Sequence, residues 1–475
     1  MSDEEKNNLL KKNAVDMTDG SPTKHILMFA LPIFIGNLFQ QFYNLIDTII
    51  VGKYIDADAL AATGTCGSLN FLFFALSAGL GFGIGVIVSQ YFGAGDDAKI
   101  RETVSSSFYV LAMSAIVMTI LGMFFARPIL TLMKAPEGYI RDQAVIYFRT
   151  TCAGILFISF YNGIAAILRA LGDSKTPLIF LIISSFLNIG MDLLFVIVFK
   201  MGVFGVALAT VVAQAVSATI SLIYAFAAIP YFKLKKEELK PNKKIIMQSF
   251  KLGIPMALQS SMIAISLIVL QRVVNKFEDT AMSAYTITSK VDLIISQFYT
   301  AISNAVSTFA GQNFGCNRVD RVKKGYRRAL VCVCIYNLIM IPLVYVYARP
   351  IVSLFVKAEE VDVINLSVQA ERIVCLMYAG LGLIYVPRGV LNGVGDATFS
   401  LVNGISEVIC RVVYSLVLIN IPSLGMMGIW WAGGLTWATV AVICNIRYLR
   451  GGWLKLKSIS ERTSHDSEAK LQAAK

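Results

Sequence analysis

Apolar residues run through this chain in long blocks, separated by short polar or Gly/Pro stretches. Twelve blocks can be marked, near 25–52, 59–92, 102–126, 139–170, 177–199, 203–229, 249–275, 280–313, 325–348, 362–391, 398–420 and 427–449. Most reach or exceed the roughly 20 residues a helix needs to cross a bilayer. None shows the period-2 alternation of a membrane strand. The pattern predicts an all-α polytopic membrane protein, with the longer helices tilted or extending beyond the bilayer.

Composition agrees. Of the 475 residues, 56% are hydrophobic and 15% charged, and the mean hydropathy is +0.67. The net charge of +12 would suit a nucleic-acid binder, so its placement decides. With the N-terminus inside, the inner side collects Lys6, Lys11, Lys12, Lys24, Lys99, Arg101, Arg169 and Lys175. It also holds the cluster from Lys233 to Lys244, a second from Arg318 to Arg328, Arg388 and a basic C-terminal tail. The outer loops keep Lys53, Arg127, Lys134, Arg141, Lys200, Lys276, Arg349 and Lys357. That bias, roughly threefold, predicts cytoplasmic termini. The positive surplus is thus topological, and no continuous basic face interleaved with aromatics marks a nucleic-acid partner. The polar first twenty residues read as a cytosolic tail rather than a cleaved leader. The eight cysteines lie singly in or beside apolar blocks and read as small packing residues.

The only long basic linker, 231–248, lies at mid-chain, and the sequence on either side of it matches at an offset of about 222 residues. Pro32 pairs with Pro255, Gln90 and Gly93 with Gln312 and Gly315, and Gly172-Asp173 with Gly395-Asp396. Ala126-Arg-Pro-Ile129 returns unchanged as Ala348-Arg-Pro-Ile351. Six helices per half, an even number, predict two parallel pseudo-symmetric lobes. The expected organisation is a tail over 1–24, an N-lobe over 25–230, the linker over 231–248, a C-lobe over 249–450 and a tail over 451–475.

Within the N-lobe, polar groups fall at one depth. Asp47 lies roughly 8 Å from the outer end of the first block and Asp192 roughly 12 Å from that of the fifth. Asn188 is one turn deeper on the face of Asp192. Tyr147 and Thr210 are each roughly 10–12 Å in from the outside. A charge in hydrocarbon costs at least about 2.5–3.5 kcal/mol, so intramembrane acids mark function by default. These oxygen-bearing groups suit Na⁺, or a proton shared between carboxylates.

The positions matching Asp47 and Asp192 in the second half are near Leu270 and at Tyr414 or Ser415, so the cation chemistry is expected in the N-lobe alone. The C-lobe has other ionisable groups: Arg272, Lys290, Asp292, Glu371, Arg372, Glu407 and Arg411. Glu407 and Arg411, spaced i,i+4, predict a structural ion pair. Lys290 and Asp292, two apart, cannot face each other on a helix, and one or both are candidates to line the cleft. The run Gly79-Leu-Gly81-Phe-Gly83-Ile-Gly85 follows no strand and reads as a close-packing helix face, not a nucleotide loop. With only two histidines and no nucleophile–base or metal motif, catalysis is not expected.

The chain resembles the multidrug and toxic compound extrusion (MATE) transporters from about residue 20 to 450. The resemblance rests on Leu31-Pro32 with Asp47 and Val51-Gly52, Ser89-Gln90-Tyr-Phe-Gly93, Leu168-Arg-Ala-Leu-Gly172-Asp173-Ser-Lys-Thr-Pro177 and Gly311-Gln312-Asn313-Phe-Gly315. It implies export of amphipathic, often cationic, organic compounds in exchange for Na⁺ or H⁺. In one branch, positions matching Asp47, Tyr147, Asn188, Asp192 and Thr210 form the N-lobe cation site. The resemblance makes Pro32 a candidate hinge and adds Tyr43 and Asn162 as cavity residues. Another branch carries acids in its seventh and tenth helices, whereas here the seventh reads Pro255-Met-Ala-Leu-Gln-Ser-Ser-Met-Ile263 without one. The expectation is a cell (plasma or inner) membrane antiporter, acting as a monomer, with no cofactor beyond the coupling ion. A lipid-linked saccharide flippase of the same broad superfamily is the alternative, and a membrane scaffold or channel a third.

Overall fold

The computed structural model describes residues 15–133, 136–275, 277 and 279–459. Lys6, Lys11, Lys12, Lys134, Lys276 and the tail beyond 459 lie outside the described residues. Helices in chain order are α1 (Pro22–Tyr54), α2 (Ala57–Ala94), α3 (Asp97–Leu132), α4 (Tyr139–Ala153), α5 (Ile155–Ala170), α6 (Lys175–Asp192) and α7 (Gly202–Ala228). The second half supplies α8 (Lys243–Val274), α9 (Asp279–Gly315), α10 (Val319–Ser353), α11 (Val361–Leu376), α12 (Tyr378–Gly393), α13 (Ala397–Leu418) and α14 (Gly428–Leu449). Among the described residues there are no strands.

Nine of the described helices are each long and apolar enough to cross a membrane, and two bent pairs, α4–α5 and α11–α12, bring the total to eleven. The remaining block, 280–313, is α9, 37 residues long, whose hydropathy is lowered by Lys290 and Asp292. The protein is therefore a multi-pass helical membrane protein built as two six-span lobes.

Blocks 139–170 and 362–391, expected as single helices, are each broken, by 46° at Gly154 and by 44° at Met377. The breaks occupy equivalent places in the two halves and pack by complementary substitution. A Cβ on Gly154 would come within 2.6 Å of the Val211 side chain, and one on Gly434 within 2.5 Å of the Met377 side chain. Each lobe thus seats its bent helix against its last span with one small and one bulky residue, in opposite order.

The repeated Gly-Asp pairs are turns on the face that carries both described ends of the chain, called the inner face below. Gly172 and Gly395 have φ of +93° and +81°, a left-handed conformation open to glycine at little cost. The following aspartates bind the next helix starts: Asp173 accepts from the Lys175 and Thr176 amides at 3.0 Å each, and Asp396 accepts from the Phe399 amide at 3.4 Å. Asp396 also pairs with Arg447 at 2.7 Å. The basic linker between the halves lies across the inner end of α3, where Tyr231 donates to Asp97 at 2.9 Å and Tyr109 to the Leu239 carbonyl at 2.9 Å.

The glycine run on α2 works as the sequence suggests. Gly79 and Gly83 meet α8, where added Cβ atoms would fall 2.4 Å from Ala257 and 2.6 Å from the Gly253 amide. Gly81 and Gly85 face α5 instead, 3.3 Å from the carbonyls of Asn162 and Ala166. One helix therefore packs backbone-to-backbone against both lobes. Between the halves, α1 packs on α9, and α2 on α8 and α9.

Candidate functional site

Helix α1 packs within its own half against α6, and Gly36 lets it approach, with Leu178 and Leu181 of α6 3.2 and 3.3 Å from where its Cβ would lie. That contact brings the far ends of the two helices together. There Asp47 and Asp192 face each other within hydrogen-bonding reach. Asp192 is fully buried and Asn188, one turn away on α6, is 3% exposed. Two ionised carboxylates are both acceptors, and the geometry reflects it. Oδ1 of Asp47, both oxygens of Asp192 and both polar atoms of Asn188 are buried without a partner. Buried polar groups left unpaired are costly, so such a cluster needs a proton or cation to complete it.

Immediately after Asp192 the chain changes to a π-helical turn, Leu193–Val198. Turns of this kind are frequent at functional sites, and nothing in the hydrophobic pattern announces this one. Tyr147, packed against the apolar cluster that includes Ile50, Val51 and Val206, lies close enough to Asp47 and Asp192 to feel both charges. Tyr43, half-buried on α1 one turn before Asp47, lies close to that carboxylate.

Other candidates are placed differently. The Thr210 hydroxyl donates to the Val206 carbonyl of its own helix at 3.2 Å. Asn162 packs its backbone on Gly81 while its side-chain Nδ2 is buried without a partner. Lys290 is exposed and apart from Asp292, which turns into the C-lobe. Helix α1 runs unbroken through Pro32, although proline cannot donate the i→i−4 bond there.

The C-lobe brings two of its own acids together across helices. The hydroxyl of Tyr378, fully buried, lies 2.7 Å from Asp292 Oδ1 and 2.9 Å from Glu371 Oε1; its single proton is shared between the two carboxylates, tying α9 to the bent pair α11–α12. Glu371 is itself 0% exposed, and its Oε2 has no partner. The pair does not sit at positions equivalent to Asp47 and Asp192, and it takes a tyrosine between the carboxylates where the N-lobe pair meets directly. Glu407 and Arg411 form the expected i,i+4 pair at 3.0 Å, almost wholly buried.

The halves are clasped at the inner face. Gln90 Nε2 donates to the Gly393 carbonyl at 3.0 Å and Gln312 Nε2 to the Ala170 carbonyl at 2.9 Å, each crossing to the other lobe. Each glutamine oxygen in turn accepts a backbone N–H from an end of the described chain: Gln90 from Ile459 and Gln312 from Met17, both at 2.9 Å.

A family model described as MatE matches the chain twice, over residues 32–194 and 255–417. The chain belongs to the MatE family. The two matches begin at Pro32 and Pro255, and the first contains both members of the N-lobe acid pair. Among curated MatE relatives, the chain is 29% identical over 453 residues to the Bacillus subtilis protein named probable multidrug resistance protein YpnP, covering 94% of this chain and all of that one. It is 22% identical over 413 residues to Staphylococcus aureus multidrug export protein MepA, covering 86% and 89%. A solved structure described as the outward-facing conformation of a multidrug resistance MATE family transporter superposes with a TM-score of 0.86 at 22% identity, over 94% of this chain and 99% of that one. This MatE protein is thus a multi-pass membrane transporter with the family's two-lobe fold.

Proposed function

We propose that the protein is a secondary active exporter of amphipathic, often cationic, organic compounds, working by alternating access in exchange for H⁺ or Na⁺. The observation that carries this reading is the donorless meeting of Asp47 and Asp192. Two carboxylates at this range repel when both are ionised, and a shared proton or a Na⁺ relieves the repulsion. The oxygens of Asn188 and Tyr147 are suitable further ligands for a hard cation. Because α1 packs on α6 within its half and on α9 across the interface, a change at the acid pair is felt where the lobes meet. A coupling ion shifts the equilibrium between inner-closed and inner-open states only through its different affinity for the two.

The names of relatives support drug efflux, and the placement of basic residues supports a plasma (inner) membrane location with cytoplasmic termini. We read the transport unit as a monomer, with the lobes bounded at 25–230 and 249–450. The test is dye transport in inverted or reconstituted vesicles with pH and Na⁺ gradients imposed separately. One gradient should drive transport, and Asp47→Asn and Asp192→Asn should each abolish it while the protein still inserts. Full transport by both variants, or indifference to both gradients, would overturn the coupling site. Headgroup-labelled lipid moved in place of dye would favour the flippase.

A further inference from the structure

Two short segments cross between the lobes at the inner face, one at each end of the described chain. Residues 15–20 are polar or exposed apart from Met17, which is fully buried. The Met17 side chain sits in the apolar cluster built mainly by α9, α10 and α12 of the second half. The backbone around it is bonded to that same half. The Met17 N–H is given to Gln312, the Met17 carbonyl accepts from Asn313 and Arg321, and the Thr18 and Gly20 carbonyls accept from Arg318 and Arg321. Yet both ends of the segment are fixed to the first half. Val15 donates to the Gly172 carbonyl at 3.2 Å, and Pro22 opens α1, which packs on α6. A Cβ on Gly172 would stand 2.3 Å from the Val15 carbonyl oxygen, so only a glycine turn lets the segment lie there.

Residues 453–459 make the converse crossing. Trp453, which follows α14, is buried in the second-half cluster and stacks on Tyr448 with ring centroids 5.6 Å apart. At the far end of the segment, Ile459 is buried in the cluster built mainly by α2, α3 and α5 of the first half. Its N–H is given to Gln90 Oε1 at 2.9 Å. Each lobe thus reaches across with one buried apolar side chain and a backbone bond to a glutamine of the other. From this we infer that residues 15–20 and 453–459 are reciprocal latches that hold the inner face closed and must both let go before it opens. The inference rests on the alternating-access part of the reading above and adds elements outside the spanning helices to it. A contact made in only one of two states biases their balance by its whole free energy. Here that energy is the burial of Met17 and Ile459 together with backbone bonds shielded from water. Parting the lobes pulls Met17 from its seat, because the segment is held to the first half on both sides of it. It also pulls Ile459 from its seat, because Trp453 stays with α14. The latches therefore set how readily the inner face opens without touching Asp47 or Asp192.

The experiment places spin labels on the inner ends of α3 and α10 of the full-length protein in lipid nanodiscs and reads their distances with no ion gradient. Met17→Ala and Ile459→Ala are each expected to raise the ratio of long to short distances about tenfold, and together by more than either alone. Asp19→Ala, which alters an exposed side chain beside the first latch, is expected to leave the ratio unchanged. An unchanged ratio in the double variant would overturn the proposal. So would an equal rise in Asp19→Ala, since the segment would then respond to any change rather than to the loss of its seat. Should Met17→Ala or Ile459→Ala fail to fold, as judged by chromatography and thermal unfolding, amide exchange in the wild-type protein decides. The Met17 and Ile459 N–H groups should be protected and exchange at one common rate, because a single opening frees both. Exchange at the rate of an unstructured peptide at either position would overturn the proposal. Transport indifferent to both gradients, with the ratio effect present, would sink the antiport reading and leave the latches standing.

Discussion

Gln90 and Gln312 make the same three-way contact in mirror roles, each donating to a backbone carbonyl of the opposite lobe and each accepting an N–H from an end of the described chain. Their motifs, Gln90-Tyr-Phe-Gly93 and Gln312-Asn-Phe-Gly315, are the repeat read twice, so one local solution closes the inner face from both sides. The N-terminal strap is tied in further. Asn313 donates to the Met17 carbonyl at 3.1 Å, and Arg321 reaches the Gly20 and Met17 carbonyls at 3.1 and 3.0 Å.

The clasp depends on two glycines. A Cβ on Gly93 would stand 1.8 Å from the Gln312 carbonyl oxygen, and one on Gly315 2.0 Å from that of Gln90. Neither neighbour is a flexible side chain, so Gly93→Ala or Gly315→Ala must push the lobes apart. Overpacking of this kind costs roughly 1–3 kcal/mol, or about a 5–150-fold shift in a two-state equilibrium. Spin labels on the inner ends of α3 and α10 should report a longer mean distance, and transport should fall in parallel. An unchanged distance distribution in both variants would mean that the closed inner face does not depend on this contact.

The Asp292–Tyr378–Glu371 cluster is a second point of leverage. Tyr378→Phe keeps the ring and removes the hydroxyl that lies between the two carboxylates, leaving buried acceptors unpaired at roughly 1–3 kcal/mol. The thermal unfolding midpoint in detergent should drop, and Glu371→Gln added to Tyr378→Phe should recover part of the loss by supplying an amide donor. If Tyr378→Phe unfolds at the wild-type temperature, the hydroxyl is not holding α9 to α12.

Much of this molecule was legible from the order of its residues. The apolar blocks located the spans because backbone groups in lipid must be satisfied within a helix, and the duplicated landmarks gave the two lobes. The Asp47, Asp192 and Asn188 cluster followed from depth, since rise per residue is nearly constant. The C-lobe acids were not paired because Asp292 and Glu371 lie on different helices, and Tyr378 reaches both only after the break at Met377 turns α12 back. Spacing rules carry across an unbroken helix, not across a 44° bend. Depth also does not say where a hydroxyl proton is spent: that of Thr210 goes to the Val206 carbonyl of its own helix. Neither the bends nor the π-helical turn after Asp192 leaves a periodicity that differs from a continuous apolar span.

The Glu407–Arg411 pair separates charge from packing. Its side chains are 7% and 4% exposed. Breaking such a pair by removing one partner typically costs about 3–5 kcal/mol, whereas replacing both with apolar residues of similar size is often neutral. Glu407→Gln should therefore lower the unfolding midpoint more than Glu407→Met combined with Arg411→Met. If the double variant is the less stable of the two, the ion pair is contributing net stability to the C-lobe.

The α2 glycines allow a sharper comparison, because the helices offer both crowded and open positions. A Cβ on Gly83 would fall 2.6 Å from the Gly253 amide and 2.7 Å from its Cα, all backbone, while nothing lies within 4 Å of the Cβ position of Gly64, Gly67 or Gly190. All four glycines lie inside helices and none has a positive φ. Where the new methyl is accommodated, Gly→Ala stabilises by about 0.4–1 kcal/mol through the unfolded chain. Where it meets backbone, the two helices must separate, and close small-residue packing is what holds membrane helices together in the absence of a hydrophobic drive. Gly64→Ala and Gly190→Ala should thus unfold at or above the wild-type temperature, and Gly83→Ala below it with impaired transport. Equal behaviour across the series would mean that α2 and α8 are not in backbone contact in the membrane, and that the glycine stripe serves flexibility rather than approach.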